Sequence, residues 1–303
     1  VTGLNGFVGR HLLTTLSGSG SQVYGFDKSD AKNGGHIFKG ELADRGALKQ
    51  ALLESMPDVI FHLAGSIKSA EPQKLYEANL LGTISLFESV LETGCQPIVV
   101  LASSSAVYGS GFGGKPIREL FKPRPVTHYA VSKLMQELMA LHYFDAFGLH
   151  IIVARMFNLL GPGQSPDLAC SAFARQIALA ETHSEDEIVA GNLKAHRDFV
   201  DVRDAARALT LLAEKGKAGQ TYNICSGRAV SIKKCLEQML SMSPRRIKVR
   251  IDSARKQEND VPFQVGNAEK LCRATGWSPR ISLKQSLSEL LEYWRQQVKS
   301  GTE

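Results

Sequence analysis

Tyr129 and Lys133 stand four residues apart in Tyr129-Ala130-Val131-Ser132-Lys133, a spacing that puts both side chains on one face of a helix. A free phenol titrates at about pH 10. An ammonium beside it favours the phenolate and brings that value toward working pH, so Tyr129 becomes usable as a proton donor or acceptor. The same five-residue pattern also occurs on ordinary surface helices, so its neighbours in the sequence decide its meaning. Upstream, Leu101-Ala102-Ser103-Ser104-Ser105-Ala106-Val107-Tyr108-Gly109 leaves an apolar strand at its C-terminal end, where α/β sheets bind ligands. A hydroxyl there can hydrogen-bond a carbonyl or an alkoxide. The bland reading of three serines in a row is a polar loop that caps a helix.

A second chemical feature lies at the start of the chain. Gly3-Leu4-Asn5-Gly6-Phe7-Val8-Gly9 is a glycine-rich turn between a strand end and an amphipathic helix. Glycine is needed where backbone approaches a pyrophosphate and where helix packs on sheet, and the helix start offers free N–H groups. Asp27 ends the next strand, where a carboxylate accepts hydrogen bonds from the ribose hydroxyls of NAD. Lys28 follows and can meet a 2′-phosphate, so the reading leans to NAD and keeps NADP open. Glu41 and Leu42, after a third strand, can hold the adenine. Leu63, Ala64 and Gly65 end a fourth strand with small residues that let the backbone graze the cofactor, whereas His62 reads as a packed histidine.

The elements that must position these residues alternate along the first half. Strands are expected at Gln22–Phe26, Val59–Leu63, Pro97–Leu101 and His150–Ala154, the last two as continuous apolar runs of the kind found in parallel strands covered on both faces. Helices are expected at Phe7–Leu16, Ala47–Ser55 (capped by Asp44), Gln73–Thr93 and Thr127–Phe147. This implies an α/β fold, a Rossmann-type doubly wound parallel sheet with a smaller C-terminal α/β substrate-binding lobe. The expected division is a dinucleotide-binding domain over 1–157 and a substrate lobe over 158–303, with 198–225 returning to the first domain. In the second half the pattern loosens. Helices are read at Cys170–Ala180, from a Ser231 cap to Leu240, and at Ala268–Thr275 and Leu283–Gln297, with strands at Tyr222–Cys225 and Ile247–Ile251. The opening Val1-Thr2-Gly3 falls where a first strand should end, so the native start is expected upstream.

Bulk composition narrows the function classes. The 303 residues are 43% hydrophobic and 22% charged, with a net charge of +6, ordinary for a globular protein. Lys and Arg are scattered without interleaved aromatics, so no nucleic-acid partner is expected, and a mildly basic chain suits an anionic small substrate. The five cysteines form no CxxC, which argues against a disulfide framework or a zinc site and fits a reducing, cytoplasmic setting. No membrane span or signal peptide is read, and no metal is expected.

Taken together, the glycine turn, Ser-Ser-x-x-Val-Tyr-Gly and YxxxK resemble the extended short-chain dehydrogenase/reductase family, whose members modify nucleotide-sugars. The resemblance implies that the catalytic hydroxyl, three residues before Val107-Tyr108-Gly109, is Ser104, and that Asn79 is the supporting helix asparagine. It further implies that Lys133 holds the nicotinamide ribose and that Ala102 and Met156 lie beside the cofactor. Within the family, Arg155–Pro166, Ser171–Ile177, Arg197–Val202, Tyr222–Gly227 and Thr275–Pro279 are similar to the GDP-6-deoxy-D-mannose reductases, which reduce GDP-4-keto-6-deoxy-D-mannose to GDP-D-rhamnose. That similarity implies substrate contacts at Ser66, Ser104, Ser105, Asn158 and Arg197, the last two at the phosphates.

Two departures carry weight. The related 4,6-dehydratases have an acidic residue in the pair after the catalytic hydroxyl, and here that pair is Ser105-Ala106, which disfavours elimination of water. An Arg-Pro pair usual in the family before Asp260-Val261-Pro262 is replaced at Gln257, which weakens the GDP-sugar assignment unless Arg255 or Lys256 compensates. The reading is therefore an NAD(P)H-dependent reductase of a nucleotide-diphosphate sugar. A 4-epimerase with tightly held NAD is the nearest rival, a dehydratase is less favoured, and a nucleotide-sensing binding protein is the rival from another class. Family resemblance implies a homodimer through 73–93 and 127–147. Leu134, Leu138 and Leu141 recur there at helical spacing, a stripe that serves equally as core.

Overall fold

The computed structural model describes residues 1–30, 36–110, 112–183, 186–252, 254 and 261–301. Among the described residues six parallel strands share the main sheet: β1 (Tyr24–Asp27), β2 (His36–Lys39), β3 (Val59–His62), β4 (Ile98–Ser104), β5 (Ile151–Met156) and, late in the chain, β9 (Thr221–Ile224). β1 pairs with β2, and β3-β4-β5-β9 run in that order. Thr2 bridges Phe26 on one side and His62 on the other, so the chain's first residues occupy the central position of a doubly wound sheet, as the opening Val1-Thr2-Gly3 implied.

The apolar runs explain why both faces of this sheet are covered. Val100 and Ile152 point into one core, with Leu12, Leu209, Leu212 and Trp277. Their neighbours Val99, Leu101, Ile151 and Val153 point into the other, with Leu52, Leu86, Phe87 and Tyr143. This alternation places α1 (Phe7–Ser17) and α7 (Val202–Lys215) on one side. It places α2 (Arg45–Ser55), α4 (Gly82–Thr93) and α5 (His128–Phe147) on the other. Asp44 caps α2 through the Ala47 N–H at 3.0 Å, as its position implied. A cavity of about 560 Å³ opens beneath Thr2 at the N-terminal ends of β1 and β3, and none of the expected site residues lines it.

The expected helix over Gln73–Thr93 is not uniform. It comprises α3 (Pro72–Tyr76), a π turn over Glu77–Leu81, and α4, with the Gly82 N–H reaching back five residues to the Glu77 carbonyl. Asn79 lies inside that wide turn and is fully buried. Such turns insert one extra residue into an α-helix and concentrate at functional sites.

A second lobe is built on β6 (Asn158–Leu160), β8 (His196–Asp201) and β10 (Ala229–Ser231), in the order β10-β8-β6, and on β7 (Glu187–Ala190) paired with β11 (Lys248–Ile251). Around these pack α6 (Ala169–His183), α8 (Ile232–Leu240, capped by Ser231) and α10 (Leu283–Ser300), through Phe173, Ile177, Leu236, Leu290 and Trp294. Between them α9 (Glu269–Thr275) leans on α7. Asp198 pairs with β10 and Phe199–Asp201 with β6, and from α7 to β9 the chain packs against the main sheet and rejoins it. Short strands such as β6, β7, β8 and β10 carry too few residues for periodicity to reveal them. Among the described residues no helix is long and apolar enough to cross a membrane.

One ion pair lies where the main sheet meets the site. Arg155 on β5 donates to the Glu137 carboxylate of α5 at 2.9 Å and 2.6 Å, with both side chains almost fully buried. Arg155 also reaches the Tyr108 hydroxyl, which donates to Asn223. Removing one partner of such a pair leaves a bare buried charge. Arg155→Met should therefore lower the unfolding free energy by about 3–5 kcal/mol in urea titrations, and a loss under about 1 kcal/mol would contradict a structural role for the pair.

Candidate active site

The three serines at the end of β4 are sorted by their partners. Ser103 donates to Glu137 inside the core. Ser105 donates to Gln264 Oε1 at 3.0 Å and accepts from Gln264 Nε2 through its carbonyl at 2.9 Å. Ser104 is half-buried and hydrogen-bonded to Tyr129. Its Oγ also accepts the Ala106 N–H at 3.2 Å, capping the 3₁₀ turn Ser105–Tyr108. Ser104 is thus the member of the triplet that faces Tyr129. Ser105, expected at the substrate, instead has its hydroxyl proton engaged by Gln264, because strand alternation and the turn swing it toward the second lobe.

Tyr129 and Lys133 sit on the first two turns of α5, whose start is fixed by the Thr127 side chain accepting from the Ala130 N–H. Lys133 is buried and donates to the Ala102 carbonyl and to Gln136 Oε1, each at 2.6 Å. Burial brings its ammonium down to about 8, with the Glu137 charge opposing. The expected lowering of the Tyr129 phenol by Lys133 is not what this geometry gives. Burial raises it, and the opposing influence is the Ser104 hydrogen bond, because the ammonium is directed at Ala102 and Gln136.

Asn79 joins these parts. Its Nδ2 donates to the Ser66 carbonyl and to Ser132 Oγ, both at 2.9 Å, and its Oδ1 accepts the Ser66 N–H at 2.8 Å. Ser132 in turn donates to the Tyr129 carbonyl. The loop after β3 is thereby locked to the helix carrying Tyr129. Gly65 is required there, since a Cβ would lie 2.5 Å from Asn79 Oδ1. His62 is wholly buried between Thr2 and Thr83, and burial holds its pKa at about 3, as expected of a packed histidine.

The glycine turn forms a cradle. Gly3 has a φ of +72° and sits against the Ala64 backbone. A Cβ on Gly9 would lie 2.5 Å from the Leu4 carbonyl oxygen, whereas one on Gly6 would meet only the Gly3 oxygen at 3.1 Å. No side chain caps the start of α1 at Gly6; the Gly6 N–H goes to the Gly3 carbonyl, which leaves the first helical N–H groups, at Phe7 and Val8, to an anion. Asp27 accepts the Asn5 N–H at 3.0 Å, which places its carboxylate beside the turn with acceptor capacity left. Asn5 Nδ2 pins the chain after β1 through Ser29 and Asp30. Lys28 and Glu41 form an exposed pair at 3.3 Å, and such a pair is easily opened. Leu42 packs where a Gly82 side chain would be, Leu63 pairs with Thr2, and the Ala64 N–H donates to Thr2 Oγ1. These residues fit a dinucleotide.

On the outer side, Met156 lies in register with Ser104, and Ser66 is half-buried with Oγ on the Lys68 carbonyl. Asn158 donates to the Asp198 carbonyl at 3.1 Å. Arg197, on β8, donates to the carbonyls of His196 and Val261. Arg255, Lys256 and Gln257 lie outside the described residues. The sequence reading missed Gln136, Thr83, Ser132 and Gln264. The first three sit at i+3 or i+4 from Lys133, Asn79 and Tyr129 or directly between them, a signal open to a helical wheel.

The NAD dependent epimerase/dehydratase family matches residues 1–225. The chain is 31% identical to the GDP-6-deoxy-D-mannose reductase of Pseudomonas aeruginosa, over 99% of this chain and 97% of that protein. It is 27% identical to the GDP-6-deoxy-D-talose 4-dehydrogenase of Aggregatibacter actinomycetemcomitans, over 95% of each. Its fold superposes on the structure of RMD from Pseudomonas aeruginosa complexed with NADPH, with a TM-score of 0.86 at 31% identity, over 97% of each chain.

The two glycines should separate on substitution. Gly9→Ala forces apart the turn and should lower stability by about 1–3 kcal/mol. Gly6→Ala should unfold within about 1 kcal/mol of the parent, since nothing but one carbonyl oxygen is near. Equal thermal midpoints for both would contradict the cradle geometry.

Proposed function

The chain belongs to the NAD dependent epimerase/dehydratase family, and on that footing we propose that it is an NAD(P)H-dependent reductase of a nucleotide 4-keto-6-deoxysugar, with GDP-4-keto-6-deoxy-D-mannose as substrate and GDP-D-rhamnose as product. The observation that carries this reading is the Ser104–Tyr129 pair at the end of β4, followed by Ser105 and Ala106 in place of an acid. A hydroxyl and a phenol serve a carbonyl that becomes an alcohol, whereas eliminating water calls for a carboxylate that this position lacks.

When bound, NAD(P)H supplies the hydride. Gly3, Asn5, Gly6, Phe7, Val8 and Gly9 would hold its pyrophosphate, Asp27 or Lys28 its adenosine ribose, and Glu41 and Leu42 its adenine. Leu63, Ala64, Gly65, Ala102, Lys133 and Met156 would hold its nicotinamide half. Ser104 donates a hydrogen bond to the C4 ketone and orients it. Tyr129 gives its proton to the ketone oxygen as the alcohol forms, and the Ser104 hydrogen bond favours the phenolate left behind. Asn79 keeps the Ser66 backbone and α5 in fixed relation, and Ser66, Asn158 and Arg197 line the side from which a sugar nucleotide would enter. A homodimer through α4 and α5 is part of the proposal. It is supported by Leu81, at the end of the π turn that leads into α4, and by Met135 and Leu138 on α5, which stand exposed.

The test is a panel of GDP-, dTDP- and UDP-4-keto-6-deoxysugars with NADH and NADPH, read at the nicotinamide absorbance. Oxidation with the GDP-sugar supports the proposal, and its absence with every GDP-sugar refutes the specific assignment. Retained NAD⁺ with turnover in the absence of added cofactor would favour the 4-epimerase. Tyr129→Phe should lower kcat by about 10²–10⁴-fold while leaving nucleotide binding in place. Activity should also decline on the alkaline side, because the Lys133 ammonium, at about 8, loses its proton as pH rises through that value. A rate that stays level to pH 10 would contradict this.

A further inference from the structure

Behind Lys133 runs a buried chain of polar groups that the proposed reaction does not use. An ammonium can only donate, so the acceptor facing Lys133 at 2.6 Å is the Gln136 carbonyl oxygen. The Gln136 amide nitrogen then faces Thr83 Oγ1, to which it donates at 2.7 Å. Thr83 uses its single proton on the Asn79 carbonyl at 2.7 Å. It must therefore accept from His62 Nε2, which lies 2.9 Å away. That places the imidazole proton on Nε2 and leaves Nδ1 to accept from Thr2 Oγ1 at 2.7 Å. Thr2 Oγ1 finally accepts the Ala64 N–H at 3.2 Å. Every proton in the chain has one place, and Gln136, Thr83 and His62 are all buried to completion. The neutral His62 required by this bookkeeping agrees with its burial-lowered pKa of about 3.

The consequence falls on the ammonium. Two of its three N–H groups are taken, by Ala102 and Gln136, and the third has no protein partner among the described residues. We propose that Gln136 is a positioning residue: braced by Thr83, its side-chain carbonyl aims the Lys133 ammonium so that one N–H is presented to the diol of a bound nicotinamide ribose. This rests on the reading of Lys133 as the residue that holds that ribose. The brace runs on to the Ala64 N–H, in the loop after β3, so the ammonium and that loop are held by one set of bonds.

The titratable groups around Lys133 are Tyr129 and Glu137 on α5 and His62 at the end of β3. Its hydrogen-bond partners are the uncharged Ala102 of β4 and Gln136 of α5, with the uncharged Thr83 of α4 behind Gln136. Removing the Gln136 acceptor therefore withdraws a group that favours the protonated amine, while Glu137 and His62 keep their places.

The experiment compares Gln136→Met, Thr83→Val and Thr83→Ser with the parent protein. Three readouts are needed: dissociation constants for NADH and NADPH from nucleotide fluorescence, the pH dependence of kcat and KM, and thermal unfolding. Gln136→Met should weaken both nucleotides by about tenfold or more and move the alkaline limb of kcat to lower pH. Thr83→Val should do the same to a smaller degree, and Thr83→Ser, which keeps the hydroxyl, should restore parental values. A folded Gln136→Met protein that binds both nucleotides within about twofold of the parent, with its alkaline limb unmoved, overturns the proposal. If Gln136→Met does not fold, the Thr83→Val and Thr83→Ser pair decides by the same two readouts. Should the parent reduce none of the 4-keto sugars, the functional reading falls, and the nucleotide constants still decide the role of Gln136.

Discussion

A charged amine is buried at the end of a parallel sheet, and much of the surrounding structure answers to it. Taking an ammonium out of water is expensive unless acceptors replace the solvent. Here a strand carbonyl and a side-chain amide do so, and a neighbouring carboxylate supplies the compensating charge. That carboxylate, Glu137, needs Arg155 and Ser103 in its turn. Arg155 draws in Tyr108, and Tyr108 draws in Asn223 from β9. The inner stripe of α5 is consequently polar, and each of its members is matched to a partner on β4, β5, the π turn or α4. Hydrogen bonds fix the rotation and height of this helix more narrowly than apolar packing would, since they tolerate displacement poorly. Tyr129, one turn before Lys133, inherits that placement.

The site also sits where the two lobes meet, and the serine triplet shows how. One hydroxyl faces inward, one faces Tyr129, and one reaches Gln264 of the second lobe. At the other end of the cleft, Arg10 and His11 of α1 bond the carbonyls of Gly163 and Pro162. The helix that begins at the glycine cradle is thus attached to the loop that follows β6. Asp198 anchors the facing wall, its carboxylate accepting the N–H groups of Ser226, Gly227 and Gly266. Burial pushes that carboxyl up, and these donors oppose the push.

The doubly wound fold was legible because its strands are continuous apolar runs and its first turn is rich in glycine. Ser104, Tyr129, Lys133 and Asn79 were legible through spacing and resemblance, and the structure brings all four together around the end of β4. In the second lobe the helices and β11 were legible, whereas its other short strands were not, since β8 reads His-Arg-Asp-Phe-Val-Asp and shows no clear period. The brace behind Lys133 was missed for a different reason. Gln136 and Thr83 belong to no motif, and their meaning arises from a hydrogen-bond order that exists only after folding. On α5 itself, hydrophobic periodicity misleads: Leu138 and Met135 face outward while Ser132, Lys133, Gln136 and Glu137 face the core. The pKa of Tyr129 was misjudged because spacing on a helix sets proximity but says nothing of where an ammonium directs its bonds.

The π turn at Glu77–Leu81 carries one residue more than a regular helix needs. It behaves as a slack loop of thread in an otherwise taut element. A deletion of one codon there could be taken up by rewinding into ordinary α-helix, with no break in the backbone ladder. The same rewinding would rotate everything before it by about 100° relative to α4, and Asn79 could no longer face both Ser66 and Ser132. For this helix, reading-frame-sized changes in length are therefore mild for the fold and severe for the chemistry. The surplus residue is thus a site where descendants of this chain could part from its activity while keeping its shape.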